Sequence, residues 1–230
     1  MARTDNRFNI NNIMKKSDIR IIFSFILLWV IMVIVFSIYT YAQQRYELKT
    51  EAKLLVKSQV IALNFEGLKE LTGHNDGYWI NRFNRTAGVP FGSPYCMSGQ
   101  YFCYDSASRI TGIKIPFPKS GVANSVYSYA KKKGNKTSYN PQVSDFITWK
   151  KIKSFRGHIE RVFKVGKKGW VWTIAFNTSN GKRGSQREGN GVYFRKRNIY
   201  HPLGRMLIRG LVGFKTNSKF INYKEACNYE

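Results

Sequence analysis

Cysteine is scarce. Three residues, Cys96, Cys103 and Cys227, occur in a chain of 230, too few and too unevenly spaced for a disulfide scaffold, and no Cys-x-x-Cys or Cys/His spacing suits a structural zinc. The odd number leaves at least one thiol unpaired. In a helix, Cys96 and Cys103 would stand roughly 10 Å apart along the axis, beyond disulfide reach, whereas a Cys103–Cys227 bridge stays open. Acidic residues are also few: 13 Asp and Glu against 38 Lys and Arg give a formal net charge of +25. Self-repulsion on that scale is tolerated where the surroundings supply anions, such as phosphate, anionic lipid or an acidic envelope polymer. No internal repeat and no low-complexity tract is present, and the six prolines are scattered, which excludes collagen-like and disordered classes. With 43% hydrophobic and 15% aromatic residues, the chain has enough apolar surface for one core of ordinary domain size.

Charge vanishes over one stretch. No Asp, Glu, Lys or Arg occurs between Ile21 and Gln44, and Ile21 to Ile38 is almost wholly apolar, which meets the requirement of about 20 residues for a membrane-spanning helix. The expectation is a cytoplasmic segment 1–20, a transmembrane helix 21–42, a helical stalk 43–65, an outward catalytic domain 66–214 and a tail 215–230. The excess of Lys and Arg before the span predicts a single-pass membrane protein, N-terminus in the cytoplasm and domain outside. A cleaved signal peptide competes poorly, because the apolar run exceeds the usual h-region.

Within the domain, GLKELTG (67–73) and YWINRFNRTAG (78–88) read as short helices stopped by glycine. Ser93 and Pro94 read as an N-cap and first-turn proline, starting a helix with Cys96 in its first turn, and residues 122–133 read as another helix. After Pro141 come strands: SDFITWKKI, GHIERVFKV, GWVWTIAF, GVYFRKR and MLIRGLVGF. Helices followed by antiparallel strands make an α+β fold with helices packed on an antiparallel sheet.

A cysteine at a helix start beside a histidine is a recognised nucleophile setting. Cys96 has the helix start, and His158 opens a strand. Pairing the hairpin about Gly166–Gly169 sets Val165 opposite Trp170, Glu160 opposite Ala175 and His158 opposite Asn177. Directly opposed residues have Cβ atoms about 4.5–5.5 Å apart, so Asn177 would orient the imidazole as the third member of a Cys/His/Asn triad. A one-residue slip of register would break that link.

The order Asn75-Asp76-Gly77 to Phe83, Gly88-Val89-Pro90 to Tyr95-Cys96, Ser144-Asp145-Phe146, Gly157-His158-Ile159 and Asn177 to Arg197 resembles the CHAP-like amidohydrolase/peptidases. These are papain-type peptidoglycan hydrolases common among bacteriophage lysis proteins, and the resemblance covers residues 65–214. It implies a papain-like domain, Cys96 as nucleophile and His158 as general base, with no metal and no cofactor, and it makes the membrane crossed by the expected span the inner membrane of a bacterial host. Many relatives carry Glu-Gly-Asn where this chain has Ala175-Phe176-Asn177, so the orienting role falls to Asn177 or to Glu160 on the neighbouring strand. Expected substrate contacts are Tyr95, Asn75, Tyr78 and Trp149, with Asn75 and Tyr78 also candidate oxyanion donors beside the Cys96 backbone N–H.

Basic clusters at 131–133, 150–153, 167–168, 182–183 and 195–197 have aromatic neighbours. That pattern also grips single-stranded nucleic acid, but an outward domain meets peptidoglycan, anionic envelope polymers and lipid headgroups, so nucleic acid fits poorly. Two alternatives stand beside the thiol hydrolase. One is a carboxylate muramidase using Glu66 or Glu70 with Asp76. The other is a non-catalytic envelope-binding or lysis-assisting protein that has lost the full site at Ala175.

Overall fold

A computed structural model describes residues 16–180 and 189–217, with side-chain surroundings for 20–35 and from 43 onward. The chain divides into two units at Tyr41 and Ala42. The first contains helix α1, Lys16–Ala42. Its apolar side chains from Ile21 to Val35 are exposed, yet among the described residues no helix is long and apolar enough to cross a membrane. This overturns the expected transmembrane helix at 21–42 and the single-pass inner-membrane localisation that rested on it.

The second unit is α+β. In chain order it contains β1 (Gln44–Thr50), α2 (Ala52–Leu63), α3 (Tyr78–Ala87), α4 (Cys96–Thr111) and α5 (Ser125–Lys133), then β2 (Asn135–Thr137), β3 (Phe146–Lys151) and β4 (Gly157–Val165). It finishes with β5 (Trp170–Thr178), β6 (Gly191–Asn198) and β7 (Met206–Thr216). One seven-stranded sheet has the order β2-β1-β7-β3-β4-β5-β6. It is mixed, because β1 runs parallel to β7 while the other neighbours are antiparallel; the expected purely antiparallel sheet is corrected accordingly.

The supposed stalk, 43–65, is strand β1 followed by helix α2. Tyr46 and Leu48 alternate inward from β1, so its apolar positions follow the strand period of two. Residues 67–73 form turns and a bridge from Lys69 to Gly191 rather than a helix. The other helices fall close to expectation. α3 buries Ile80, Phe83, Asn84 and Ala87 at helical spacing, and Gly88 ends it at φ 73°, a left-handed conformation glycine adopts without steric cost.

Alternation along the strands gives the sheet two faces. On one, Ile159, Phe146, Val212 and Phe214 pack with Tyr104 of α4 and Leu54 and Leu55 of α2, while Ile174, Phe176 and Val192 meet Phe83, Phe102 and Cys103. On the other, Ile147, Trp149, Val162, Val171 and Leu211 are covered by Ile199, Leu203 and Met206. α4 approaches β5 closely: a Cβ on Gly99 would lie 2.2 Å from the Phe176 ring. The Ser-Asp-Phe segment joins these layers. Asp145 accepts from Arg45 Nε at 2.7 Å and from its other nitrogen at 3.0 Å. Ser144 donates to Gln59 at 3.1 Å and accepts from Arg161 at 3.2 Å.

Candidate active site

Cys96 is the first residue of α4. Tyr95, not Ser93, is the N-cap, with no side-chain cap bond; the first helical bond runs from Gly99 N–H to the Tyr95 carbonyl at 2.9 Å. Helix geometry therefore leaves the Cys96 N–H without an intrahelical acceptor. Cys96 and Cys103 carry free thiols. Cys96 keeps a small exposed fraction, 6%, whereas Cys103 is fully enclosed and burial pushes its thiol up to about 12. Cys227 lies outside the described residues.

His158 is the second residue of β4 and stands opposite Trp149 of β3. Their rings are 6.1 Å apart, and the Trp149 indole N–H donates to the His201 carbonyl at 3.2 Å. The strand start is cramped: a Cβ at Gly157 would fall 2.1 Å from the Asn124 amide and 2.2 Å from the Trp149 carbonyl. From this position the imidazole interacts with both Cys96 and Glu160. Nε2 meets Glu160 Oε1 at 3.2 Å. Burial opposes charge on the ring, but its bonds to Cys96 and Glu160, and their negative charge, outweigh burial and raise His158 to about 9.

Glu160, two residues along β4 and on the same face, has no exposed surface. It accepts from Arg197 Nε at 3.0 Å and from a second Arg197 nitrogen at 2.7 Å, and from the Thr173 hydroxyl at 2.5 Å. Burial works against its ionisation, yet the His158 hydrogen bond and the charges of Arg197 and His158 prevail and hold the carboxyl at about 2. Thr173 and Arg197 were absent from the sequence-based candidates. Thr173 was findable: the expected hairpin register places it beside Ala175 on the strand facing Glu160. Arg197 was not, because its reach from β6 depends on a second strand pairing.

Asn177 does not reach His158. The paired region of β4 and β5 ends at Glu160–Ala175, and β5 then bulges between Phe176 and Thr178, with Asn177 at φ 52°. Its amide accepts from the Tyr95 backbone N–H at 3.2 Å and donates to the Gly189 carbonyl at 3.1 Å. Asn177 thus ties down the start of the nucleophile helix, which corrects its expected contact with the imidazole. Asn75, at φ 56°, lies beside Asn177 and donates to the Gly92 carbonyl at 3.2 Å. Tyr95 and Trp149 are enclosed, at 0% and 1% exposure; they form walls, not open substrate contacts. Tyr78 is exposed and accepts from Arg82 at 2.9 Å.

The muramidase carboxylates are not assembled into a pair. Glu66 lines a cavity of about 660 Å³ with Phe65, Trp79, Arg82 and Phe102, and neither Glu70 nor Asp76 lines it. Asp76 accepts from the Thr72 N–H and hydroxyl at 2.9 and 2.7 Å; these bonds lower its pKa, the wrong direction for a general acid. Among the described residues no group of three or more His, Cys, Asp or Glu could hold a metal ion. Basic and aromatic side chains interleave on the outer strands: Lys164 lies 4.9 Å from the Trp172 ring and Lys196 5.0 Å from that of Trp170. The expected cluster at 182–183 lies outside the described residues. No family model, curated protein or solved structure matches the chain.

Proposed function

We propose that this protein is a cysteine-dependent amide hydrolase acting on the peptide stem of peptidoglycan. The observation that carries the reading is one chain of contacts, Cys96 to His158 to Glu160, anchored by Arg197 and Thr173. With His158 protonated and Glu160 ionised at neutral pH, an imidazolium faces the sulfur, the charge arrangement that favours a thiolate. The sulfur attacks the amide carbonyl and the oxyanion takes the Cys96 N–H. His158 then gives its proton to the departing amine as the C–N bond breaks. Water next attacks the thioester, His158 accepts its proton, and the C–S bond breaks to release a carboxylic acid. The peptidoglycan assignment draws on the motif resemblance, and the strongly basic chain suits an anionic envelope polymer. A binding-only role was motivated by the missing carboxylate at 175; Glu160 provides one to the same imidazole from the opposite strand.

The test is digestion of purified murein by the full chain, with products read by mass spectrometry. The expected result is new amine and carboxyl ends in the peptide stem, lost in Cys96→Ala and retained in Cys103→Ala. New reducing sugar ends, or undiminished turnover by Cys96→Ala, would overturn the reading.

A further inference from the structure

We propose that Arg195 and Tyr193 form a carboxylate-recognition subsite of the Cys96 site, so that the amide substrate carries a free carboxylate near the bond that is cut; this rests on the hydrolase reading above. The register of β4, β5 and β6 places these side chains. Glu160 pairs with Ala175, and Ala175 with Tyr193; Arg195 stands opposite Thr173. Tyr193, Arg195 and Arg197 alternate onto the face that holds His158 and Glu160, as Arg197 demonstrates by bonding Glu160. In that row Ala175 stands between Glu160 and Tyr193 and is itself enclosed.

The accounting of partners singles out Arg195. Glu160 already accepts from His158, Thr173 and Arg197. Arg195 is half-buried and makes no ion pair among the described residues, and its Nε is buried with no acceptor. No Asp or Glu occurs anywhere in residues 161–180 or 189–217. Burial and the neighbouring Arg197 both weigh against its charge, which Glu160 only partly offsets. The Tyr193 hydroxyl is likewise buried without a hydrogen-bond partner, and burial together with the nearby Glu66 and Glu70 carboxylates raises its pKa. Two donors lacking hydrogen-bond acceptors, one a cation that is costly to keep beside another cation, stand two residues apart on the face of β6 that carries Arg197. A planar carboxylate matches the guanidinium fork and takes the phenolic O–H as well.

The experiment uses full-length Cys96→Ala, so that peptide is bound but not cut. Calorimetry compares a murein stem tetrapeptide bearing its free carboxylates with the same peptide converted throughout to carboxamides. The acid is expected to bind at least about tenfold more tightly. Adding Arg195→Gln removes that preference, Arg195→Lys keeps part of it, and Tyr193→Phe weakens it by a smaller factor. Arg195→Gln is expected to melt no lower than its parent, since it removes an unpaired cation. Equal affinity for acid and amide in the parent, which requires no change at Arg195, overturns the inference, as does an unaltered preference in Arg195→Gln. Murein cleavage without a carboxylate preference sinks only the subsite; a preference that depends on Arg195 in a protein that never cleaves murein sinks only the hydrolase.

Discussion

Glu160 and Ala175 face each other across β4 and β5, so the carboxylate beside His158 comes from the histidine's own strand. At 3.2 Å from His158 Nε2, Glu160 holds the imidazole in place. Replacing Glu160 with Gln removes one of the two groups, Cys96 being the other, that raise His158. Turnover is predicted to fall on the order of 10²-fold, and its alkaline limit, set by His158 near 9, moves to lower pH. A pH–rate profile of both proteins checks this.

The same pair makes a signed contribution to stability. Glu160 is depressed from 4.5 to about 2, so its contribution is full above 4.5 and is lost as pH falls through 2. His158 is raised from 6.5 to about 9, so its contribution is full below 6.5 and is lost as pH rises through 9. The stability difference between wild type and Glu160→Gln should be largest between pH 4.5 and 6.5 and should shrink at pH 9.5. Taking the difference cancels titrations elsewhere, and urea unfolding at each pH measures it.

Arg197→Met leaves a buried carboxylate without its bidentate partner. The expected loss is about 3–5 kcal/mol, and Glu160 moves up from its depressed value. Double substitution with Glu160→Gln should recover part of that loss, because the stranded charge is then gone. Simple additivity of the two changes in denaturant titrations would show that the ion pair is not what holds this corner of the sheet.

Asn177 acts on the other end of the site. Asn177→Ala removes the bond to the Tyr95 N–H and places a Cβ residue with poor left-handed tolerance at φ 52°, whereas Asn177→Gly removes only the side chain. The alanine variant should be the less stable by about 1 kcal/mol. Both should lower turnover without moving the pH profile, since neither touches His158. A shifted profile would restore Asn177 to the imidazole.

Gly99→Ala tests the seating of the nucleophile helix. A Cβ 2.2 Å from the Phe176 ring costs about 1–3 kcal/mol in overpacking, offset by up to about 1 kcal/mol of helix propensity. Thermal melting should show a net loss, relieved in part by Phe176→Leu.

Sequence patterns made much of this legible where the physics is local. The run from Gly157 to Val165 is a strand with the expected bounds, Cys96 begins its helix, and the expected Glu160–Ala175 pairing is present. Local rules failed at backbone irregularities. A register shift between Val162 and Lys164 puts Val165 opposite Val171 instead of Trp170, and the bulge at Asn177 carries its side chain away from His158. β1 was hidden because charged residues interleave with Tyr46 and Leu48, and its parallel partner β7 lies at the far end of the chain. Arg197 entered the site through long-range pairing, which no short window of sequence contains.

Alkylation tests the Cys96–His158 contact most directly. Full-length protein is treated with iodoacetamide at neutral pH and the labelled cysteine is located by peptide mass spectrometry, in wild type and in His158→Ala. The prediction is rapid modification of Cys96, little at Cys103, and at least a tenfold slower reaction at Cys96 once the imidazole is removed. Equal rates at Cys96 with and without His158 would contradict an activated nucleophile and the hydrolase built on it.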